Sequence, residues 1–216
     1  MSGASERAYA FIRDAIISGD IAEGSRLREE DIAVRAGTSR TPVREAIRRL
    51  VNDGFLEAQR NAGVVVATWD EDRVTQLFGV RAALESYGVA LAVTRALQSD
   101  IRELDAMCDE METMLRDGGP GFLEDFSKAN TRFHLRLLRL SGNERLEATA
   151  APMMELGLIM KMYKRFSSDR LARSCADHRD IVSALRRGDV AWGEAIMRSH
   201  ILAGLPSDWG GGMGRV

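Results

Sequence analysis

Apolar positions in the first fifty residues recur at helical spacing, and the recurrence breaks at glycines. Tyr9, Phe11, Ile12, Ile16 and Ile17 line one face of a helix that should stop at Gly19. After Gly24 a second short helix is expected to carry Leu27, Ile32, Ala33 and Val34. Gly37 supplies a turn, and Val43, Ile47 and Leu50 mark the core side of a third helix. Ser39 is a suitable N-cap for that helix, with Thr41 and Pro42 in its first turn, where a missing amide hydrogen costs nothing. It should therefore begin near Arg40. Two short helices joined through a glycine form a helix-turn-helix pattern. Beyond Asp53-Gly54, the runs Phe55-Leu56-Glu57-Ala58 and Val64-Val65-Val66-Ala67 flank a polar break at Gln59 to Gly63 and read as a small hairpin, a wing.

From Asp70 onward strand patterning vanishes. Helices are expected near 71–97, 99–117, 121–141, 143–165, 168–188 and 189–204, separated by Ser99-Asp100, Gly118-Gly119-Pro120-Gly121, Ser141-Gly142-Asn143, Ser167-Ser168-Asp169 and Gly188-Asp189. Short connections between such helices predict an antiparallel bundle. The expected fold is mostly α: a winged helix-turn-helix domain over residues 1–69, an all-α antiparallel bundle over 70–205, and a flexible glycine-rich tail over 206–216.

Charge sharpens the reading of the first domain. The whole chain carries a net charge of only −2, so no global positive field draws it to nucleic acid. Up to Thr68, ten arginines balance ten acids, yet Arg35, Arg40, Arg44, Arg48 and Arg49 face only Glu45 within their own stretch. Arg40, Arg44 and Arg48 fall four apart on one helix face, away from Val43, Ile47 and Leu50. Such a helix can approach phosphates through its free amides while its arginines reach guanine edges in the major groove. With so little net charge, binding to double-stranded DNA has to be local and dimeric. Cys108 and Cys175 lie at no metal or redox spacing and read as reduced, small apolar residues. No apolar run approaches the roughly 20 residues that span a membrane, and the N-terminus lacks a signal-peptide core, so a cytoplasmic protein with no membrane partner is expected.

All three histidines, His134, His178 and His200, fall in the second half, each on a different expected helix and among apolar neighbours. They are either packed core residues or ligands that bundle packing brings to one point. Asn130 precedes His134 by four residues and shares its helix face. Three imidazoles and an oxygen donor suit zinc, with nickel or another first-row divalent ion as alternatives.

Ser39-Arg40-Thr41-Pro42-Val43-Arg44-Glu45-Ala46-Ile47, followed by Leu50, Asp53-Gly54-Phe55-Leu56 and Gly63, resembles the GntR family of bacterial transcription regulators from about residue 5 to 68. The resemblance implies that Arg40 and Arg44 read bases, that Ser39 and Thr41 bind phosphate or base edges, and that Gly63 sits at the minor-groove tip of the wing. Arg48 shares the reading face, and Arg60 is the wing's nearest arginine. Ala62 stands before Gly63 where the family commonly has arginine, and Glu30 stands where some members carry arginine. In the second half, Asn130-Thr131-Arg132-Phe133-His134, Ser141-Gly142-Asn143, Asp177-His178-Arg179-Asp180-Ile181 and Met197-Arg198-Ser199-His200 resemble the FadR-type, or FCD, effector-binding bundle over about 72–204. That resemblance implies Asn130, His134, His178 and His200 as the metal ligands, with Asn in place of the family's Asp. It also implies that Arg81, otherwise an ordinary helical partner of Glu85, binds the carboxylate of a small effector.

The expected protein is thus a homodimeric regulator of a short pseudo-palindromic operator, controlled by a small carboxylate at a metal site. An enzyme using the histidines is the alternative. Against it, Thr131, Cys175 and Met197 stand three residues before the histidines, where a di-iron bundle needs glutamates. An architectural DNA-binding protein without an effector is the third reading, and the lack of broad positive charge argues against it.

Overall fold

A computed structural model describes residues 3–59, 63–68, 70–154, 159, 163 and 166–205. The chain divides into two compact units, with the division at Asp70.

In the first unit, α1 (Gly3–Ser18) is followed by a short strand β1 (Arg26–Leu27), α2 (Glu29–Arg35), α3 (Arg40–Asn52) and the hairpin strands β2 (Leu56–Gln59) and β3 (Gly63–Val66). Tyr9, Ile12, Val43, Leu50, Phe55 and Val66 form the centre of one core shared by helices and sheet. The turn between α2 and α3 is closed by the amides of Gly37 and Thr38, which donate to the carbonyls of Val34 and Ala33. The Tyr9 hydroxyl donates to Asp53 at 2.7 Å, and the Arg49 guanidinium lies 3.9 Å from the Tyr9 ring centre. Those contacts latch α1 onto the end of α3.

Two expectations for this unit are corrected. Leu27 belongs to a strand, since the sheet has the order β1-β3-β2, all antiparallel, with Leu27 opposite Val64 and Arg26 opposite Val65. A two-residue strand leaves no alternation to read, and Leu27 is buried because β3 recruits it. Val34 is 83% exposed, so the core side of α2 is carried by Ile32 and Ala33.

In the second unit, α4 (Glu71–Val93) packs along the last helix, α9 (Val190–Ala203), and against α6 (Phe122–Leu140). Alongside them, α5 (Gln98–Asp117) packs on α6 and on α8 (Ser168–Arg187). Asp70 caps α4 by accepting the Arg73 amide at 2.8 Å. The approach of α4 and α9 is close because Gly193 offers no side chain: a Cβ there would lie 3.1 Å from Val89 and 3.3 Å from Val93. The helix expected over 143–165 is interrupted, with Ile159 and Tyr163 helical again and residues 155–158, 160–162, 164 and 165 outside the described ones. It runs as α7 (Glu144–Ala150) into a 3-10 turn at Ala151–Met153, because Pro152 lacks an amide hydrogen and its ring opposes a continuing helix. Residues 206–216, read as a flexible tail, lie outside the described residues.

Candidate functional site

Ser39 occupies the N-cap of α3 in extended backbone, and its side chain makes no capping hydrogen bond. The helix buries Pro42, Val43, Ala46, Ile47 and Leu50, so Arg40, Thr41, Arg44 and Arg48 are exposed on the other side. Arg44 donates through Nε and Nη2 to the two carboxylate oxygens of Glu29, at 2.9 and 2.7 Å. Arg40 lies 3.1 Å from Glu30 and 3.6 Å from Glu29. The local excess of positive charge expected from sequence is therefore smaller in space, because α2 brings two acids to α3 and Glu6 of α1 pairs with Arg49 at 2.9 Å. The hydrogen bond from Arg44 holds the Glu29 carboxyl below its ordinary range.

Gly63 opens β3 with φ +82°, and the Arg26 guanidinium lies about 3.4 Å from where a Cβ on it would project. Arg26 reaches the wing glycine from β1, a position the sequence reading did not single out. A cleft of about 390 Å³ between these elements is lined by Arg26, Arg28, Glu29, Glu30, Arg40 and Gly63. Arg60 and Ala62 lie outside the described residues.

The three histidines come together. His134 of α6, His178 of α8 and His200 of α9 are all buried, and each offers a ring nitrogen within 4.8 Å of the others. His200 Nε2 lies 3.2 Å from His178 Nε2 and 3.3 Å from His134 Nε2. Nitrogens bound to one tetrahedral zinc at about 2.0–2.1 Å stand roughly 3.3 Å apart, so the spacing fits a shared ion. Asn130, one turn before His134, is 3% exposed, and its Oδ1 has no hydrogen-bond partner. A buried polar atom without a partner is costly in an apolar core, and a cation answers that cost. The donor set and the unpartnered oxygen fit a divalent ion.

Two carboxylates that sequence reasoning did not assign to the site stand behind the imidazoles. Glu85 of α4 meets His134 Nδ1 at 2.6 Å and accepts from Arg81 Nε at 2.8 Å. Asp177 lies 3.5 Å from His200 Nδ1 and pairs with Arg173 at 2.9 Å. The Glu85 carboxylate on His134 Nδ1 fixes that ring and turns its Nε2 lone pair inward, while Asp177 stands near His200 without a hydrogen bond to it. Burial alone would push Glu85 up, yet Arg81 and His134 together hold it at about 2, as a buried carboxylate. Burial also lowers His134 and drives His178 well down, with the neighbouring imidazoles adding to it for His178. Both are thereby kept neutral, the form that coordinates metal. The signal for Glu85 was present as an Arg81–Glu85 pair four residues apart. What sequence did not show was His134 from another helix completing it.

Arg81 is 4% exposed and its ion pair among the described residues is with Glu85. It reaches the histidine cluster through that carboxylate. A small cavity of about 80 Å³ adjoins the cluster, lined by Tyr163, Ser174, Asp177, His200 and by Arg170 and Arg173. No described helix is long and apolar enough to cross a membrane.

Comparison with known proteins accords with both halves. Residues 4–66 match the model for bacterial regulatory proteins of the gntR family, and residues 76–203 match the FCD domain. A probable D-xylose utilization operon transcriptional repressor from Paenarthrobacter nicotinovorans is 33% identical over 91% of this chain and 85% of that protein. The gluconate operon transcriptional repressor of Bacillus subtilis is 24% identical over 83% and 74%. Among solved structures, E. coli McbR/YncC aligns with a TM-score of 0.66 at 21% identity, covering 93% of this chain and 94% of that one, a likeness of fold. With an N-terminal winged helix-turn-helix, a helical bundle enclosing a buried histidine cluster and both family models matched, the chain belongs to the GntR family of DNA-binding transcription regulators with an FCD domain, and is a regulator rather than an enzyme.

Proposed function

We propose that this protein is a FadR-type regulator whose affinity for DNA is controlled by a small carboxylate bound at a divalent metal in the FCD bundle. The observation that carries the reading is the convergence of three buried Nε2 atoms at 3.2 and 3.3 Å, with a buried, unpartnered Asn130 oxygen one helical turn before His134. His134, His178, His200 and Asn130 would hold the ion, and zinc suits the donors best, with nickel as the other candidate. A bound ion supplies positive charge and coordination positions for an anionic oxygen.

The charges of this chain support an anionic effector. Glu85 balances Arg81 and Arg173 balances Asp177, so neither carboxylate is left to compensate a divalent ion. A buried charge of that kind favours an anion strongly. Arg81 spends its Nε on Glu85, and its terminal nitrogens are the donors assigned to the effector carboxylate. The Bacillus subtilis relative is named for a gluconate operon, and gluconate is a sugar carboxylate, which supports that class.

On the DNA side, Ser39, Arg40, Thr41, Arg44 and Arg48 of α3, with Arg60 and Gly63 of the wing, form the proposed contact set. One helix N-terminus covers few base pairs, so a cytoplasmic homodimer on a short pseudo-palindromic operator is the proposed binding unit. Residues 1–69 serve as the DNA-binding part, and 70–205 as the metal, effector and dimerisation part. The effector shifts DNA affinity by as much as it binds one arrangement of the bundle better than another.

The test is elemental analysis combined with thermal shift. Protein incubated with zinc or nickel should carry about one ion per chain, lost in His134→Ala and in His178→Ala. Candidate sugar and organic acids should raise the melting temperature of loaded wild type, and not that of Arg81→Ala or of stripped protein. Absence of metal after incubation would return the histidines to a packing role. Equal shifts in all three samples would remove the proposed effector site.

A further inference from the structure

Glu29 stands at the start of α2, and the packing of α2 on α3 brings it against a residue fifteen positions away in the chain. Its two oxygens accept from Nε and Nη2 of Arg44 at 2.9 and 2.7 Å, a parallel pair along one edge of the guanidinium. A guanidinium carries five N–H donors in a fixed plane. This pairing occupies one on Nε and one on Nη2. Both hydrogens of Nη1 and the second of Nη2 remain, and the Nη1/Nη2 edge is able to meet guanine O6 and N7 in parallel.

We infer that Glu29 is a positioning residue for DNA reading: it fixes the Arg44 side chain so that the Nη1/Nη2 edge is presented to a guanine in the major groove. The inference rests on the proposed role of Arg44 as a base-reading residue. The same carboxylate lies 3.6 Å from Arg40, whose other terminal nitrogen is held by Glu30 at 3.1 Å, so both arginines at the front of α3 are tethered from α2. The pair with Arg44 is exposed, with side-chain exposures of 51% and 27%, and contributes little to folding. Its consequence is orientation. An arginine already held in its reading geometry avoids the ordering cost of a long side chain on binding, roughly three- to tenfold in affinity. A carboxylate near the DNA backbone also disfavours contacts in which the arginine merely meets phosphate, since phosphate repels it. Both effects favour the cognate sequence over random duplex.

The experiment selects an operator from a randomised duplex pool with the full-length wild-type chain, then measures discrimination between that operator and random duplex. In Glu29→Gln, which keeps the size of the side chain, discrimination should fall roughly three- to tenfold while affinity for random duplex does not fall. The lost preference should be for guanine at the position that Arg44→Ala also relaxes. In an Arg44→Ala background, Glu29→Gln should cause no further loss, and Glu29→Asp, which keeps the charge, should retain more discrimination than Glu29→Gln. Unchanged discrimination in Glu29→Gln overturns the inference, as does an equal gain on both duplexes, the mark of a competitor that DNA displaces. A loss undiminished in the Arg44→Ala background overturns it too. Wild-type discrimination in Arg44→Ala itself would instead remove the base-reading role beneath it, a distinguishable failure.

Discussion

Burying a glutamate at 2% exposure and an arginine at 4% strips both of hydration, and Glu85 and Arg81 recover part of that cost from each other and from His134. Removing one partner leaves the other charge buried and unmatched. Glu85→Gln is therefore expected to destabilise the protein by about 3–5 kcal/mol. It should also weaken metal binding by about 10- to 100-fold, because the amide holds the His134 ring less firmly. Denaturant unfolding of stripped protein and metal titration of loaded protein measure the two effects separately, and unchanged metal affinity would remove Glu85 from the site. The cysteines give a second outcome at this scale. Burial raises the Cys108 thiol to about 12 and that of Cys175 to about 11, whereas an unfolded thiol ionises near about 8.5. The folded state thus binds these protons more tightly. Their contribution to stability is whole below about pH 8.5 and is lost as pH rises through 11 to 12. At pH 9 the folded protein should resist iodoacetamide and the unfolded chain should take up label at both cysteines. Rapid labelling of native protein at pH 9 would contradict the burial.

At the scale of elements, two glycines in helices predict opposite results. Gly79 lies on the exposed side of α4, with nothing within 4 Å of an added Cβ, so Gly79→Ala should stabilise by about 1 kcal/mol through helix propensity. Gly193 in α9 faces Val89, Val93 and Ala184 at 3.1 to 3.3 Å, so the same change there should force α4 and α9 apart. Overpacking of about 1–3 kcal/mol outweighs the propensity gain, and Gly193→Ala should lower the melting temperature. Calorimetry on the pair decides it, since equal shifts would mean that the α4–α9 approach is not tight. In the wing, Gly63→Ala meets two obstacles, a left-handed backbone at φ +82° and the Arg26 guanidinium. It is expected to cost about 1–2 kcal/mol in stability and to weaken DNA binding further by moving Arg26. DNA affinity unchanged in both Gly63→Ala and Arg26→Ala would leave the wing glycine a folding residue only.

For the whole molecule, a net charge of −2 supplies no global pull towards DNA, so the proposed attraction is local, to the face of α3 and the wing. Two copies on a two-fold site, the proposed binding unit, would double those contacts. A footprint should show two symmetric half-sites about one helical turn apart, and sedimentation should show a dimer. Arg44→Ala is expected to cost about 1–3 kcal/mol in operator binding and to relax base preference. A single unsymmetrical half-site would refute the dimeric mode.

The helix boundaries around Gly37, the N-cap at Ser39, the wing hairpin and the family were legible in the chain because they rest on local rules: periodicity, turn residues and caps within a few positions of one another. The three histidines were legible as candidates for the same reason, since Asn130 and His134 share one helix face at a spacing of four. Leu27 in a strand and the break at Pro152 depart from the expected helices, the first because a two-residue strand has no period, the second because a proline opposes a helix that the flanking turn residues alone would leave unbroken. What tertiary structure alone decided is the set of partners. Glu85 and Asp177 stand behind His134 and His200, and Glu29 holds Arg44, because packing joins helices far apart in sequence. Charge counted along the chain made the face of α3 strongly positive, while charge counted in space sets α2 against it. An ion pair depends on distance across helices, and linear order carries no record of that distance until the core closes.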